Sequence, residues 1–241
     1  MKVFAKSDIG RAREMNQDAY YASQPSDTVG LYIVADGMGG YNSGEIASKM
    51  AVDLVKCGVM DGFDPEMDYV EFSELLRKAL IDANEEIYRK SKCEEHEGMG
   101  TTSAVAFVFK GKLITANIGD SRVYILDENK IRQLTKDHSY VEELIDCGEI
   151  TPELARNHPQ KNYITRALGT EPFVKADISI SDYSGETVVI CSDGLTNLVS
   201  DDQISSIIKE NEDFETAAKK LIELANRKGG RDNITCVIFE V

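Results

Sequence analysis

Apolar residues in this chain keep one period for a block and then change it, and those changes leave few folds open. Residues 2–10 (KVFAKSDIG), 18–24 (DAYYASQ) and 31–36 (LYIVAD) are short β-forming runs separated by turn-prone segments. Residues 42–58 (NSGEIASKMAVDLVKCG) then place Ile46, Ala47, Met50, Ala51, Leu54 and Val55 at helical spacing, and Asn42 with Glu45 forms a variant capping box. A second helix is expected over residues 70–92, with Phe72, Leu75, Leu76, Ala79, Ala83 and Ile87 on one stripe. From Gly100 the pattern returns to strands, TTSAVAFVF, KLITANIG, SRVYILDE and KIRQLT, with KGK and DENK at hairpin positions.

Residues 139–170 are a mixed segment punctuated by Gly148, Pro152 and Pro159. After it come strands VKADISIS and ETVVICSD, helices SDDQISSIIKEN and DFETAAKKLIELANRK, and a last strand NITCVIFEV. No stretch has the composition of an interdomain linker. The expectation is one α+β domain over residues 1–241, with paired helices outside antiparallel sheets.

A net charge of −15 argues against a nucleic-acid binder, which needs a basic footprint. No apolar run reaches the roughly 18 to 20 residues that span a bilayer, and the N-terminus MKVFAKSDIGRAR becomes charged too soon for a secretory signal. The five cysteines, Cys57, Cys93, Cys147, Cys191 and Cys236, include no CxxC pair. They are expected as reduced thiols in a cytoplasmic protein, with Cys191 and Cys236 packed in a core.

Acidic residues at strand ends form a second pattern. YIVADGMGG carries Asp36, ANIGDSRVY Asp120, VVICSDGLTNL Asp193 and GGRDNITCVIF Asp232, each with glycine within two positions; Asp18 in REMNQDAYY opens a strand without one. Asp and Gly are turn residues, so any one of these has an ordinary explanation. Apolar residues continue on both sides, however, and set each carboxylate beside a core, where it needs a cation or several donors. No HExxH or Cys/His cluster is present, and His96, His138 and His158 are far apart. An all-oxygen set suits Mg²⁺ or Mn²⁺, and glycine at Gly37 would let its carbonyl approach an ion. Several such carboxylates are the ingredients of a two-metal hydrolytic site.

Other chemistries fail by residue type. A phosphatase thiolate wants arginine six residues after cysteine; Phe63, Met99, Glu153 and Asn197 stand there. GGYNSGEI has Glu45 and Ile46 in the Lys and Ser/Thr slots of a P-loop, and no GxSxG elbow occurs.

RxxNQDAY (Arg13 to Tyr20), VADGMGG, GTTSAVA, ANIGDSRVY, DHS, ITRALG, CSDGLTN and GGRDNIT resemble, in that order, motifs of the bacterial branch of the type 2C metal-dependent Ser/Thr protein phosphatases. The resemblance runs from about Ser7 to the C-terminus. It implies a four-layer αββα sandwich, two central antiparallel β-sheets flanked by helix pairs, with a dinuclear Mn²⁺/Mg²⁺ centre at one end. By position, Asp36 would bridge both ions, the Gly37 carbonyl would join the first, Asp193 and Asp232 would hold the second, and Asp18 would sit beside them. Asp120 and Asp193 match the ligands of a third, weaker ion, and Arg13 matches the arginine that binds substrate phosphate, a role suited to its two-pronged grip. The implied reaction is direct in-line attack on phosphorus by an ion-bridging hydroxide. Substrates would be phosphorylated proteins, with a cognate Ser/Thr kinase as a partner, and nothing calls for a dimer.

Two departures bear on mechanism. Met38 stands where eukaryotic relatives place a proposed acid histidine, which leaves the general acid unassigned, with His138 and His158 as candidates. Residues 139–170 correspond to the flap of bacterial relatives and are expected to shape substrate choice. Two rivals stay open: a binding module that keeps the fold without the chemistry, and a phosphatase of small phosphorylated metabolites.

Overall fold

Leu31, Ile33 and Ala35 face one core, and their neighbours Tyr32 and Val34 face another. Such alternation with apolar residues on both sides requires a sheet covered on both faces. The computed structural model describes residues 2–24, 30–40, 43–127 and 130–241. Its first half runs β1 (Lys2–Asp8), β2 (Asp18–Ala22), β3 (Gly30–Met38), α1 (Ser43–Gly62), α2 (Tyr69–Lys90), β4 (Gly100–Thr101), β5 (Ser103–Phe109), β6 (Lys112–Ile118), β7 (Arg122–Leu126) and β8 (Ile131–Gln133). There follow α3 (Tyr140–Asp146), α4 (Pro152–Ala155), β9 (Asp177–Asp182), β10 (Thr187–Cys191), α5 (Asp193–Thr196), α6 (Asp201–Lys209), α7 (Phe214–Arg227) and β11 (Ile234–Glu240).

Two antiparallel sheets result, ordered β1-β11-β10-β7-β8 and β2-β3-β5-β6-β9, with β4 added to β3. Between them lies a core containing Tyr32, Ala104, Val123, Ile190, Val237 and Phe239, in which the Tyr32 and Phe239 rings stack with centroids 3.6 Å apart. The opposite face of the β3–β5–β6 sheet packs on α1 and α2 through Val105, Phe107, Phe72 and Leu76. The other sheet packs on α6 and α7 through Val189, Ile238, Ile204 and Leu221. The four-layer αββα order thus follows from strands that carry apolar residues at odd and even positions alike. Each large side chain so buried contributes about 1.5–3 kcal/mol.

Local chemistry sets the boundaries. The Lys110–Gly111 hairpin has both residues at positive φ, 47° and 71°, as a two-residue turn matched to strand twist requires. Helix α2 starts at Tyr69, because Asp68 accepts from the Val70 and Glu71 amides while Glu71 accepts from the Asp68 amide. The Asn42 cap and the middle of the DENK turn lie outside the described residues.

One boundary differs from the sequence expectation. The strand of residues 186–193 stops at Cys191, and Asp193 begins the short helix α5. Gly194 is the cause: a Cβ there would lie 2.0 Å from the Asn233 carbonyl oxygen, so the backbones of α5 and the start of β11 touch.

Cys191 and Cys236 face each other in the register of β10 and β11, and both are free and buried. Burial pushes the Cys236 thiol to about 12 and the Cys191 thiol up as well, which makes both inert core residues. Among the described residues, no helix is long and apolar enough to cross a membrane. Within residues 139–170, α3 and α4 lie outside the sheets, and the segment returns to the body where Leu168 exchanges backbone hydrogen bonds with Thr101 (3.0 and 2.8 Å).

Candidate metal and phosphate site

The acidic residues singled out in the sequence meet at one end of the sandwich, from both sheets. Asp18 opens β2 and is the register partner of Asp36 on β3. The Asp36 amide donates to Thr102 Oγ1 (2.9 Å), and its carbonyl accepts from Thr101 Oγ1 (2.9 Å) and the Thr102 amide (2.9 Å). Asp120 lies in the turn from β6 to β7, next to Gly119 at φ 100°. Asp193 opens α5 just past β10, and Asp232 comes from the turn before β11.

Hydroxyl groups join the two sheets beneath this cluster. Asp18, only 8% exposed, accepts at Oδ2 from Ser192 Oγ (2.7 Å) and Thr235 Oγ1 (2.6 Å), while its Oδ1 is buried with no hydrogen-bond partner. Asp193 accepts at Oδ2 from Asn197 Nδ2 (2.8 Å), and its Oδ1 is likewise buried and unpartnered. Burial first, then the charges of Asp193 and Asp232, carry the Asp18 carboxyl to about 7 against the two hydroxyl hydrogen bonds. Asp193 is pushed to about 6 by burial and by Asp232, opposed by a hydrogen bond with Asp36 and by Arg13. Asp36 is held well above the carboxylate range by burial and by Asp18, Asp193, Asp120 and Asp232. Asp120 is raised by burial, then by Asp193 and Asp137.

These carboxyls therefore repel one another, and among the described residues the cation paired directly with one of them is Arg13, whose Nη2 donates to Asp232 Oδ2 at 2.8 Å. Arg13 is half exposed at 51%, so its grip on Asp232 is a weak, exchangeable contact. The nearby Arg122 is spent on Asp137, to which its Nε and Nη2 donate. Among the described residues, no three acidic, cysteine or histidine side chains already close on one point as a finished ligand shell. The donor chemistry nonetheless fits hard divalent cations: every candidate ligand is oxygen, two buried carboxylate oxygens have no partner, and the raised carboxyls mark missing positive charge.

Gly37 follows Asp36 for a reason of packing. A Cβ there would lie 2.0 Å from the Gly44 carbonyl oxygen and 2.6 Å from that of Gln17. We expect Gly37→Ala to lower unfolding free energy by about 2–3 kcal/mol in a denaturant titration of the metal-free protein. An unchanged midpoint would mean that the end of β3 yields more easily than this contact allows.

The site opens into a cavity of about 500 Å³, with Asp120, Asp193 and Asn197 on one side and Val141, Pro152 and Arg156 of the 139–170 segment on the other. Neither candidate acid histidine is free for proton transfer there. His138 is 7% exposed with both ring nitrogens engaged by protein, and burial holds its imidazole below its ordinary value. His158 sits after α4, where its Nδ1 accepts from the Gln160 amide (3.2 Å), and it does not line the cavity.

Residues 10–237 match the family model described as protein phosphatase 2C. The chain belongs to the protein phosphatase 2C family. It is accordingly a phosphoprotein phosphatase, a hydrolase of phosphoric monoesters on serine and threonine. It is 40% identical over 240 residues to the serine/threonine phosphatase stp of Listeria welshimeri, covering 98% of this chain and 94% of that one. The Streptococcus agalactiae serine/threonine phosphatase has a similar structure, with a TM-score of 0.90 at 34% identity and 98% of each chain covered. The catalytic domain of the phosphatase PstP, solved with two manganese ions, is similar at a TM-score of 0.83 and 34% identity, covering 98% of this chain and 96% of that one.

Reading the family motifs for their acids misses the residues that hold those acids in place. Ser192 and Thr235 flank Asp193 and Asp232 inside CSDG and RDNIT, yet both serve Asp18. Asn233 accepts from the Gln17 amide (2.8 Å) and donates to the Ile9 and Met15 carbonyls (2.9 and 2.8 Å), so it fixes the loop that presents Arg13. Polar residues inside an apolar run were the available signal, because a buried polar group implies a partner.

Proposed function

We propose that this phosphatase requires Mn²⁺ or Mg²⁺, with Asp36, the Gly37 carbonyl, Asp193, Asp232 and Asp18 holding two ions and Asp120 with Asp193 holding a third, weaker one. The observation that carries this reading is the cluster of five carboxyls at one end of the sandwich, with buried, orphaned Oδ1 atoms on Asp18 and Asp193. Divalent ions, when bound, supply Lewis acidity that makes water a competent nucleophile near neutral pH and offsets phosphoryl charge. The protein's own part is to aim the carboxylates, bind the phosphoryl group and leave phosphorus open to direct in-line attack. Among the described residues no cysteine lines the cavity: Cys191 and Cys236 are buried and inert, and the exposed Cys57, Cys93 and Cys147 lie outside its lining.

Arg13 binds the substrate phosphoryl group. Its guanidinium stands at the edge of the acidic cluster and gives up Asp232 for a dianion that offers two oxygens to its fork. Arg13→Ala should lower kcat/KM for a phosphothreonine peptide on the order of 10²-fold, chiefly through KM, and Arg13→Lys should recover only part of it. Full activity in Arg13→Lys would show that a point charge suffices and that the fork plays no part.

We read residues 1–241 as one catalytic domain that works as a monomer in the cytoplasm, with residues 139–170 as a flap over the cavity. Its substrates would be proteins phosphorylated by a Ser/Thr kinase, the kinase itself among them. The deciding experiment strips metal, adds back Mn²⁺ or Mg²⁺, and compares phosphate release from a phosphothreonine peptide with release from free phosphothreonine. Ion-dependent release that favours the peptide supports the proposal. Equal rates on both would favour a metabolite phosphatase, and no release from folded, metal-loaded protein would favour a binding module.

A further inference from the structure

His138 is buried within one residue's reach of Asp120, and the Gly119 amide fixes the role of its Nδ1. The Gly119 amide lies 3.0 Å from Nδ1, and an amide can only donate, so Nδ1 is the acceptor. The ring proton is therefore on Nε2, which donates to Asp177 Oδ2 at 3.2 Å. Arg166 Nη1 is 2.9 Å from the same Nε2. Neither group can accept from the other in this tautomer, and Arg166 instead donates to Asp177 Oδ1 (3.0 Å) and the Lys175 carbonyl (2.9 Å).

The backbone repeats the grip. The His138 amide donates to the Gly119 carbonyl (2.9 Å), which also accepts from Asn117 Nδ2 (3.0 Å). Gly119 has φ 100°, and a Cβ on it would lie 2.5 Å from Thr102 Cγ2, so this turn is held in one shape from every side. The same histidine sits at the base of the 139–170 segment. Its carbonyl accepts from the Thr165 amide (2.8 Å), next to a bridge between Ser139 and Ile164. Asp177 opens β9 opposite Asn117.

We propose that His138 is a positioning residue for Asp120: its imidazole fixes the Gly119 amide, thereby aims the Asp120 carboxylate, and ties that turn to the base of the flap. This rests on the reading of Asp120 as a ligand of the weaker third ion. At 7% exposure bulk water has little access to the ring nitrogen's place, so losing it leaves the Gly119 amide unsatisfied and the turn less tightly held. Groups that orient a metal ligand commonly change affinity about 10–100-fold when removed.

The test uses two amides that divide the ring between them. His138→Asn places an acceptor near the position of Nδ1, whereas His138→Gln reaches toward Nε2 and leaves the Gly119 amide without one. Exchange of the Gly119 amide, read by NMR, should be slow in wild type and His138→Asn and about tenfold or more faster in His138→Gln. Calorimetric titration with Mn²⁺ should show the weakest site loosened about tenfold or more in His138→Gln, near wild type in His138→Asn, and the tighter sites unchanged in both.

Asp120→Ala is the control and should remove the weakest site. If it leaves the isotherm unchanged, the reading of Asp120 fails and the proposal falls with it. If it removes that site while His138→Gln keeps it, or both amides weaken it equally, the positioning role alone is wrong. Should His138→Gln not fold, Asp177→Ala at a half-exposed position frees the ring instead. Faster Gly119 exchange with a weaker third site then supports the proposal, and no change in either overturns it.

Discussion

Phosphate release from a phosphothreonine peptide should fall on the order of 10³-fold or more in Asp36→Asn, and added Mn²⁺ should not restore it. Asp36 is the hub of the cluster: its carboxyl is raised first by burial and then by the charges of Asp18, Asp193, Asp120 and Asp232. Asparagine keeps the shape, so the backbone hydrogen bonds to Thr101 and Thr102 remain and the fold survives. What changes is one acceptor oxygen for an NH₂ donor and the loss of a charge at the centre. The same substitution should raise the melting temperature of the metal-free protein, because a buried, repelled carboxyl has been removed. Activity and stability thus move in opposite directions, which separates a lost ligand from a damaged fold. Activity within tenfold of wild type, or a lower metal-free melting temperature, would remove Asp36 from the centre of the site.

That opposition also shows which parts of this protein a single sequence discloses. The layers were legible because Tyr32 and Ile33, Ala104 and Val105, and Val237 and Ile238 are apolar at successive positions, and only a sheet covered on both faces buries both. The helices were legible by period, although the start of α2 depends on the Asp68 capping box, which the apolar period does not report. Among the site residues, the acids stood out as charges in apolar surroundings. Their supports did not, because those contacts are long-range: Ser192 reaches Asp18 across 174 positions, and Thr235 across 217.

Residue type likewise misdirected the reading of histidine. In sequence, His138 is a candidate acid; in the fold, its nitrogens are committed to Gly119 and Asp177, a choice made by β6 and β9 lying side by side. Gly37 carries two demands at once. Close packing on Gly44 and Gln17 requires glycine, and the proposed approach of its carbonyl to an ion rests on the same absence of a side chain.

The second large effect is on stability against pH in the metal-free protein, which should melt lower as pH rises from about 5 to about 8. Asp18 and Asp193 hold their protons to about 7 and about 6, and Asp36 and Asp120 are raised as well, each chiefly by burial. In the unfolded chain these groups ionise near the ordinary 3.8. The stability they permit is therefore complete below about pH 4 and is lost as pH climbs through the folded values, because the unfolded chain releases its protons first. Asp18 alone makes on the order of 4 kcal/mol pH-dependent, which for a chain of this length is a shift on the order of 10 °C.

Saturating Mn²⁺ should flatten the profile, since cations that bind only the folded, ionised carboxylates favour the state that pH otherwise penalises. Asp36→Asn should flatten part of it without metal. Melting curves at a series of pH values, with chelator and with Mn²⁺, decide the matter. A metal-free melting temperature that holds steady or rises across this window would mean that the five carboxyls are not mutually repelling, and the case for a cation among them would go with it.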